Sequence, residues 1–339
     1  MAAGIIGTGA YLPEGRLTNE DLSRRLGVTP KWIFEHTGVS SRRIAPAGQL
    51  SSDMGAAAAR QALEQARTSV GEIGVVILAS STPDAMGPAT AALIQHALGI
   101  PQAMCFDLSA GCSGFVYGLA TACHLVSSGF CAKGLVIGAD KLSRVVDPGD
   151  AATAILFGDG AGAVVVGQAP DGWGLLASDT GCDGSRFEAV WIPGTEGGRP
   201  VPAGSTVKPG PFLHMDGFQV FKFSMRVIGD SVQRVLDRCG LTIEDINLLI
   251  PHQANRRIVE AAAGRLRMPL EKVFLDLEDC GNTSAASIPI ALRHAVEQGR
   301  IPLGGLVLLT GFGAGLSWGS CLLRWNGPRT DEGGQEARA

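Results

Sequence analysis

Charge is scarce in this chain and aromatic side chains are scarcer: Asp, Glu, Lys and Arg make up 18% of its 339 residues, and Phe, Trp and Tyr 6%. With a formal net charge of −4, no basic block and no interleaved aromatic stripe, it lacks the footprint of a nucleic-acid binder. Only the adjacent Arg256 and Arg257 suggest a local anion contact. No apolar run approaches the roughly 18 residues that a membrane span needs. The start MAAGIIGTGAYLP has neither the cationic stretch nor the apolar block of a secretory leader. The eight cysteines, at 105, 112, 123, 131, 182, 239, 280 and 321, form no C-x-x-C and no Cys/His spacing that reads as a metal cage. No metal is expected, and a reduced, cytoplasmic setting is.

What the chain has in quantity is apolar residues, 45% of the total, enough at this length to bury a large core. Short apolar runs bounded by glycine recur, among them GIIG, VVILAS, GLVIGA, GAVVVG, NLLIP and LVLLTG, and read as buried strands. Helical spacing fills stretches between them, at 51–68, 91–98, 112–128, 225–239 and 287–298. Alternation of this kind predicts an α/β fold whose mostly parallel sheet is covered by helices.

The pattern also repeats. ALEQARTSVGEIGVVILASST and VLDRCGLTIEDINLLIPHQAN each read as helix, turn and strand. FDLSAGCSGFVYGLATACHLVSSG and LDLEDCGNTSAASIPIALRHAVEQG each read as strand, small-residue turn and helix. Both halves close on a glycine phrase, GDGAGAVVV at 158–166 and GFGAGLSWG at 311–319. The chain reads as a duplication, with one half over 1–175, the other over 176–328, and a tail at 329–339. The Gly- and Pro-rich stretch 184–211 reads as a surface excursion.

Three residues stand where this architecture gathers chemistry. Cys112, in DLSAGCSGF, follows a strand and opens a helix, where free N–H groups and the positive end of the helix dipole favour a thiolate. Cys105, Cys123, Cys131 and Cys239 lack that context and read as packing residues. His252, in LLIPHQANRRI, lies just past a buried strand, at the sheet edge where α/β folds bind ligands. Asn282, in CGNTSAAS, is the second-half counterpart of the Cys112 turn, so duplication brings the two turns together. His96, His124 and His294 fall in helical stretches and His214 follows the irregular one, which gives none of them such a position. Neither glycine phrase is a phosphate cradle: Pro13 interrupts the helix that would follow GTGAYLPEG, and GDGAGA runs into a strand.

On these residues the chain resembles the β-ketoacyl-acyl-carrier-protein synthase III family of the thiolase superfamily. The likeness spans about residues 3–326 through TPKWIFEHTGVSSRRIA, SSTPD, DLSAGCSGF, FGDGAGA, PHQANRRI, GNTSAAS and GFGAGLSWG. It implies a thiolase-like fold, two βαβαβαββ halves stacked as α-β-α-β-α layers. It implies that a primer thioester acylates Cys112, and that His252 and Asn282 then hold the carbonyl of a malonyl thioester while it loses CO₂. The resulting carbanion attacks the acyl group, whose oxyanion is held by the backbone N–H groups of Cys112 and Ala314. Phe312 matches an aromatic beside the nucleophile; Phe221 and Asn255 match positions that line the pantetheine tunnel or its mouth, as does Arg257, and Arg256 adds charge for an acidic carrier protein. By the same resemblance the enzyme needs no cofactor, takes substrates on coenzyme A or an acyl-carrier protein, and is a homodimer that primes fatty-acid or polyketide synthesis.

Two departures bear on substrate. Arginines that hold the adenine nucleotide of coenzyme A in the family are replaced by His36 and Ala151, leaving Trp32 of that grip. Gly87, in PDAMGPATAAL, replaces a bulky residue that the partner subunit contributes to the acyl pocket, which implies a primer longer or bulkier than acetyl. Two other readings use the same residues: an acyltransferase that moves the Cys112 acyl group without loss of CO₂, and a non-catalytic acyl-binding partner subunit.

Overall fold

The computed structural model describes residues 2–193 and 211–328. In chain order the strands are β1 (Ala2–Tyr11), β2 (Arg16–Thr18), β3 (Ser41–Arg43), β4 (Ile73–Ala79), β5 (Met104–Leu108), β6 (Lys133–Lys141), β7 (Asp159–Ala169), β8 (Gly174–Cys182), β9 (Val190–Trp191), β10 (His214–Met215), β11 (Leu248–Pro251), β12 (Leu306–Gly313) and β13 (Ser317–Arg324). The α-helices are α1 (Asn19–Leu26), α2 (Pro30–Thr37), α3 (Ser51–Gln65), α4 (Thr90–Leu98), α5 (Gly114–Ser127), α6 (Ala151–Ala154), α7 (Gly217–Cys239), α8 (Arg256–Leu266) and α9 (Ser287–Glu297).

Two large sheets dominate, ordered β1-β7-β6-β4-β5 and β11-β12-β13-β8. Read from the other end, the second order is β8-β13-β12-β11, so each half uses its strands in the same sequence. Pairing matches too: β4 is parallel to β6 and β11 to β12, while β7 and β13 run antiparallel to both neighbours. The chain leaves the first sheet at Ala169 and enters the second at Gly174.

Side chains on a strand alternate between faces, and the apolar runs are buried on both. In β4, Val75 and Ile77 join the central core while Val76 and Leu78 join the outer one against α3 and α4. In β12, Val307 and Leu309 face the centre, and Leu306 and Leu308 face α7 and α8. Helices α5 and α9 lie between the sheets, contributing Phe115, Leu119, Ile288 and Leu292 to the central core. The result is a five-layer α-β-α-β-α stack. Burial on both faces is why these strands appear in the sequence as unbroken apolar runs without polar alternation.

The halves are not perfect copies. The segment expected as the third strand of the second half pairs only through a bridge between Leu249 and Val273 and the bond from Phe274 N–H to Leu249 O, 2.9 Å. Helix α7 begins eight residues earlier than the apolar spacing indicates, at Gly217 instead of 225. Its start is fixed by Asp216, whose carboxylate accepts the Gln219 N–H at 3.0 Å while the Gln219 amide reaches back at 2.9 Å. The helix expected from residue 112 opens with a 3₁₀ turn, Gly111–Ser113, before α5. The stretch expected as a surface excursion begins with a 3₁₀ segment (Gly184–Ala189) that leads to β9, which pairs with β10. The remainder of that stretch and the expected tail lie outside the described residues.

Candidate active site

Strand ends bring the site together. Cys112 sits in the turn after β5, His252 directly after β11, and Asn282 in the turn before α9. The second-half turn is stitched to the first half through its backbone: Asn282 N–H donates to Leu156 O at 2.8 Å, and Gly158 N–H donates to Asn282 O at 3.0 Å. All three residues line one cavity of about 590 Å³.

The nucleophile turn is held by close approach. Gly111 has φ +53°, and a Cβ there would stand 2.6 Å from Ala314 N; a Cβ on Gly313 would stand 2.5 Å from Cys112 N. The GFGAG loop therefore packs directly on the turn. Ser317 fastens the two, donating to Ala110 O at 2.8 Å or Ala314 O at 2.7 Å and meeting Ser113 Oγ at 2.8 Å. This contact brings the Cys112 and Ala314 backbones together.

Cys112 is free and partly exposed to the cavity. Burial nevertheless pushes its thiol up to about 12; a hydrogen bond with the Ser284 hydroxyl opposes that shift and the charge of Asp140 reinforces it. Burial therefore opposes the thiolate that a helix terminus favours.

His252 is 2% exposed, and burial lowers its pKa to about 3, so the ring is neutral near pH 7. Its Nδ1 lies 2.6 Å from Ser287 Oγ, which also accepts the Gln253 N–H at 3.3 Å. With Nδ1 engaged by this hydroxyl, Nε2 is the ring nitrogen left for a ligand in the cavity. Phe312, 3% exposed, meets the ring edge-on at 5.6 Å and fixes its plane. Asn282 is oriented the same way: its Oδ1 accepts the Ser284 N–H at 2.9 Å, so its Nδ2 is the end left for donation.

The other anticipated residues divide. Trp32, Phe221, Asn255, Arg257, Phe312 and Ala314 line the cavity with the three. Asn255, however, spends its amide on structure, capping α8 through Arg257 N–H at 2.8 Å and donating to His36 O at 2.9 Å. Trp32 is stacked on His36, ring centroids 4.1 Å apart. Arg256 is absent from the lining; its guanidinium pairs with Glu278 at 3.3 Å and lies over Phe34. Gly87 is absent as well, exposed on the loop between β4 and α4. Ser284 and Ser287 escaped the sequence reading, although both stand in GNTSAAS; only the fold reveals which atoms they engage. Val190 and Ile192, assigned to a surface excursion, also line the cavity.

Among the described residues there is no cluster of three or more potential metal ligands, and no helix long and apolar enough to cross a membrane. Two family descriptions match, 3-oxoacyl-[acyl-carrier-protein] synthase III over residues 106–184 and its C-terminal domain over 236–325. The β-ketoacyl-[acyl-carrier-protein] synthase III of Caldanaerobacter subterraneus subsp. tengcongensis is 46% identical over 330 residues, covering 96% of this chain and 98% of the relative. The crystal structure of the Thermus thermophilus synthase III superposes with a TM-score of 0.91 at 42% identity, covering 96% of this chain and 100% of the other. The priming β-ketosynthase of the R1128 polyketide pathway superposes at 0.87 with 35% identity, covering 95% and 96%.

Proposed function

The chain belongs to the β-ketoacyl-[acyl-carrier-protein] synthase III family of condensing enzymes, and from that premise we propose that it transfers a primer acyl group to Cys112 and extends it with a malonyl thioester. In the first half-reaction the Cys112 sulfur attacks the primer thioester and expels its thiol carrier. In the second, His252 Nε2–H and Asn282 Nδ2–H donate to the malonyl thioester carbonyl. Negative charge collects on that oxygen as CO₂ leaves, and two preorganised donors in a dry pocket stabilise it. The carbanion then attacks the Cys112-bound acyl group, with the N–H groups of Cys112 and Ala314 facing the second oxyanion, and the 3-ketoacyl thioester departs.

One observation carries this reading. Asn282 Oδ1 is occupied by the Ser284 N–H and His252 Nδ1 is engaged by the Ser287 hydroxyl, so with the imidazole proton on Nε2 both side chains turn donors toward the cavity. A general-base role for His252 would require a pKa nearer neutrality than about 3. This favours decarboxylating condensation over acyl transfer to a hydroxyl or amine. The test is release of labelled CO₂ from a malonyl thioester, dependent on primer, together with a mass increase at Cys112. CO₂ release without primer-dependent acylation of Cys112 would refute it.

Substrates arrive on a phosphopantetheine arm, from coenzyme A or from a carrier protein. Arg257 at the mouth suits an acidic carrier, whereas His36 covers a face of Trp32 and Arg256 is committed to Glu278. Labelling Cys112 in competition between acyl-CoA and acyl-carrier donors distinguishes the two. The protein acts as a homodimer in which the Gly87 loop enters the partner's acyl pocket, and β5, the edge strand of the first sheet, offers the seam. A reducing cytoplasm suits its eight unpaired cysteines. The product primes fatty-acid or polyketide synthesis.

A further inference from the structure

Strands β6 and β12 hold equivalent places in the two sheets, each beside an antiparallel partner, β7 or β13. Their ends correspond: Gly138, Ala139 and Asp140 in the first half match Gly311, Phe312 and Gly313 in the second, with Gly138 opposite Gly162 and Gly311 opposite Gly319. Each end presses on the 3₁₀ turn of the other half. A Cβ on Gly138 would stand 2.2 Å from Ala285 O, and one on Gly313 would stand 2.5 Å from Cys112 N. The turns correspond as well: Gly111, Cys112 and Ser113 match Ser284, Ala285 and Ala286, and both first residues are left-handed, at φ +53° and +51°. Cys112 is therefore matched by Ala285, and Gly313 by Asp140.

The halves part at one backbone N–H. Gly313 lies against Cys112 N and, as glycine, sends no side chain to it. Asp140 does send one: its Oδ2 accepts the Ala285 N–H at 3.1 Å. The carboxylate is 0% exposed and absent from the cavity lining. Its Oδ1 is anchored by the loop after β4, accepting from Ser80 Oγ at 3.1 Å, Ser81 N–H at 2.7 Å, Thr82 N–H at 3.0 Å and Thr82 Oγ1 at 2.9 Å. The adjacent ammonium is committed elsewhere, since Lys141 Nζ donates to the carbonyls of Pro46, Ala47 and Gln49. The turn that Asp140 grips is the one that aims the amide: the neighbouring Ser284 N–H holds Asn282 Oδ1 at 2.9 Å.

We propose that Asp140 is a positioning residue for condensation: its carboxylate fills the second half's counterpart of the oxyanion site and so locks the turn that presents Asn282. In the nucleophile's half the Cys112 N–H is left for charge that develops on substrate; in the other half the matching N–H is taken by a carboxylate of the protein itself. A buried acceptor bonded to several N–H and O–H donors fixes their geometry closely. Asn282 Nδ2 is thereby held where the enolate oxygen forms, without Asp140 touching substrate. The arrangement also dictates how substitution acts. Oδ1 collects four donors and Oδ2 faces one, so the amide of Asp140→Asn settles with its oxygen on the loop and turns its NH₂ against the Ala285 N–H. That variant keeps the loop and releases the turn.

This inference rests on the condensation proposed above, and its test separates the two. The unsubstituted protein and Asp140→Asn are compared in both half-reactions: acylation of Cys112 by intact-protein mass spectrometry, then release of labelled CO₂ from a malonyl-carrier protein by the acylated enzyme. In Asp140→Asn, kcat and kcat/KM for the malonyl carrier should fall together, by about 100-fold, because a misplaced donor weakens the transition state and leaves ground-state binding alone. Acylation should stay within a few-fold of the parent. In an Asn282→Ala background the same substitution should slow condensation little further, since the amide it positions is gone. Parental condensation, equal losses in both half-reactions, or losses that multiply with Asn282→Ala would overturn the positioning role and leave the parent reading standing. If Asp140→Asn does not fold, Ser80→Ala withdraws one donor from Oδ1 and decides the matter: a smaller loss confined to condensation supports the role, and parental condensation or an equal loss in both half-reactions overturns it. No CO₂ release by the unsubstituted protein would overturn the parent reading and this one with it.

Discussion

The turn carrying Cys112 and the turn carrying Asn282 occupy equivalent places in the two halves, each a 3₁₀ turn leading into a helix buried between the sheets. They differ in what they offer the cavity. The first presents a sulfur atom and backbone N–H groups. The second presents an oriented amide and a serine hydroxyl, and its own backbone is tied to the first half through Leu156 and Gly158. Duplication supplies two turns of one shape at one place, and the proposed reaction divides its chemistry between them: acyl capture on one, decarboxylation on the other.

The division can be broken most forcefully at Asn282. Asn282→Ala removes a donor to the developing enolate, and condensation should fall about 100- to 1,000-fold. Acylation of Cys112, followed by intact mass, should stay within a few-fold of the parent. A comparable loss in both half-reactions would mean that the turns do not work separately. His252→Ala should follow Asn282→Ala, because both lower the same barrier.

Most of this architecture was legible in the sequence. Unbroken apolar runs such as VVILAS and LVLLTG announce strands buried on both faces, and the repeated order of helix, turn and strand announces the duplication. The convergence of Cys112, His252 and Asn282 on one cavity was legible because strand ends in such folds meet. The start of α7 was not read, although Asp216 and Gln219 form a legible D-x-x-Q signature, because the exposed Phe218 and Phe221 blur the apolar spacing. The proton affinities were beyond the sequence altogether. A helix terminus can be inferred from residue order, whereas the desolvation that pushes Cys112 up to about 12 depends on packing by distant segments. For the same reason, nothing local told Arg257, which faces the cavity, from Arg256, which Glu278 draws away.

A second test concerns close approach. Gly111→Ala places a methyl group 2.6 Å from Ala314 N at a φ of +53°. The left-handed conformation alone costs roughly 1–2 kcal/mol for a residue with a Cβ, and displacement of the GFGAG loop adds to it. Urea unfolding should report the loss, and acylation should fall because the facing N–H groups separate. A variant of unchanged stability and rate would show that the packing of the two loops is loose.

The histidines sharpen the comparison through pH. His252 is neutral in the fold down to about 3, whereas its unperturbed value is 6.5. Between those values the unfolded chain binds a proton that the folded chain does not, so this contribution is complete above about 6.5 and is lost as pH falls toward 3. His294 has the opposite sign. Its Nδ1 lies 2.8 Å from Asp276, whose hydrogen bond raises the imidazole pKa above 6.5. That contribution is present below 6.5 and fades as pH rises through the elevated value. His252→Gln should flatten the acid side of the stability profile, by at most about 1.4 kcal/mol per pH unit, and His294→Gln should flatten the neutral-to-alkaline side. Reversed assignments in chemical denaturation across pH would contradict the burial of His252.

The smallest effect expected on the protein itself is at Gly87, where the change is one of selectivity. A Cβ at this position meets nothing within 4 Å in its own chain, so Gly87→Phe should alter stability by no more than about 0.5 kcal/mol. The loop lies between β4 and α4, and α4 leads to β5, whose outer edge is the proposed dimer seam. Across that seam the new ring would enter the partner's acyl pocket and occupy the room a longer primer needs. Each methylene excluded from an apolar pocket is worth about 1–3 kcal/mol, or roughly 10- to 200-fold in discrimination. Competition between short and long acyl donors for Cys112 should therefore shift toward the short donor in Gly87→Phe, with little change in its absolute rate. If the preference stays where it was, the acyl pocket is built from one subunit alone, and Val190, Ile192 and Leu213 on its wall become the residues that set chain length.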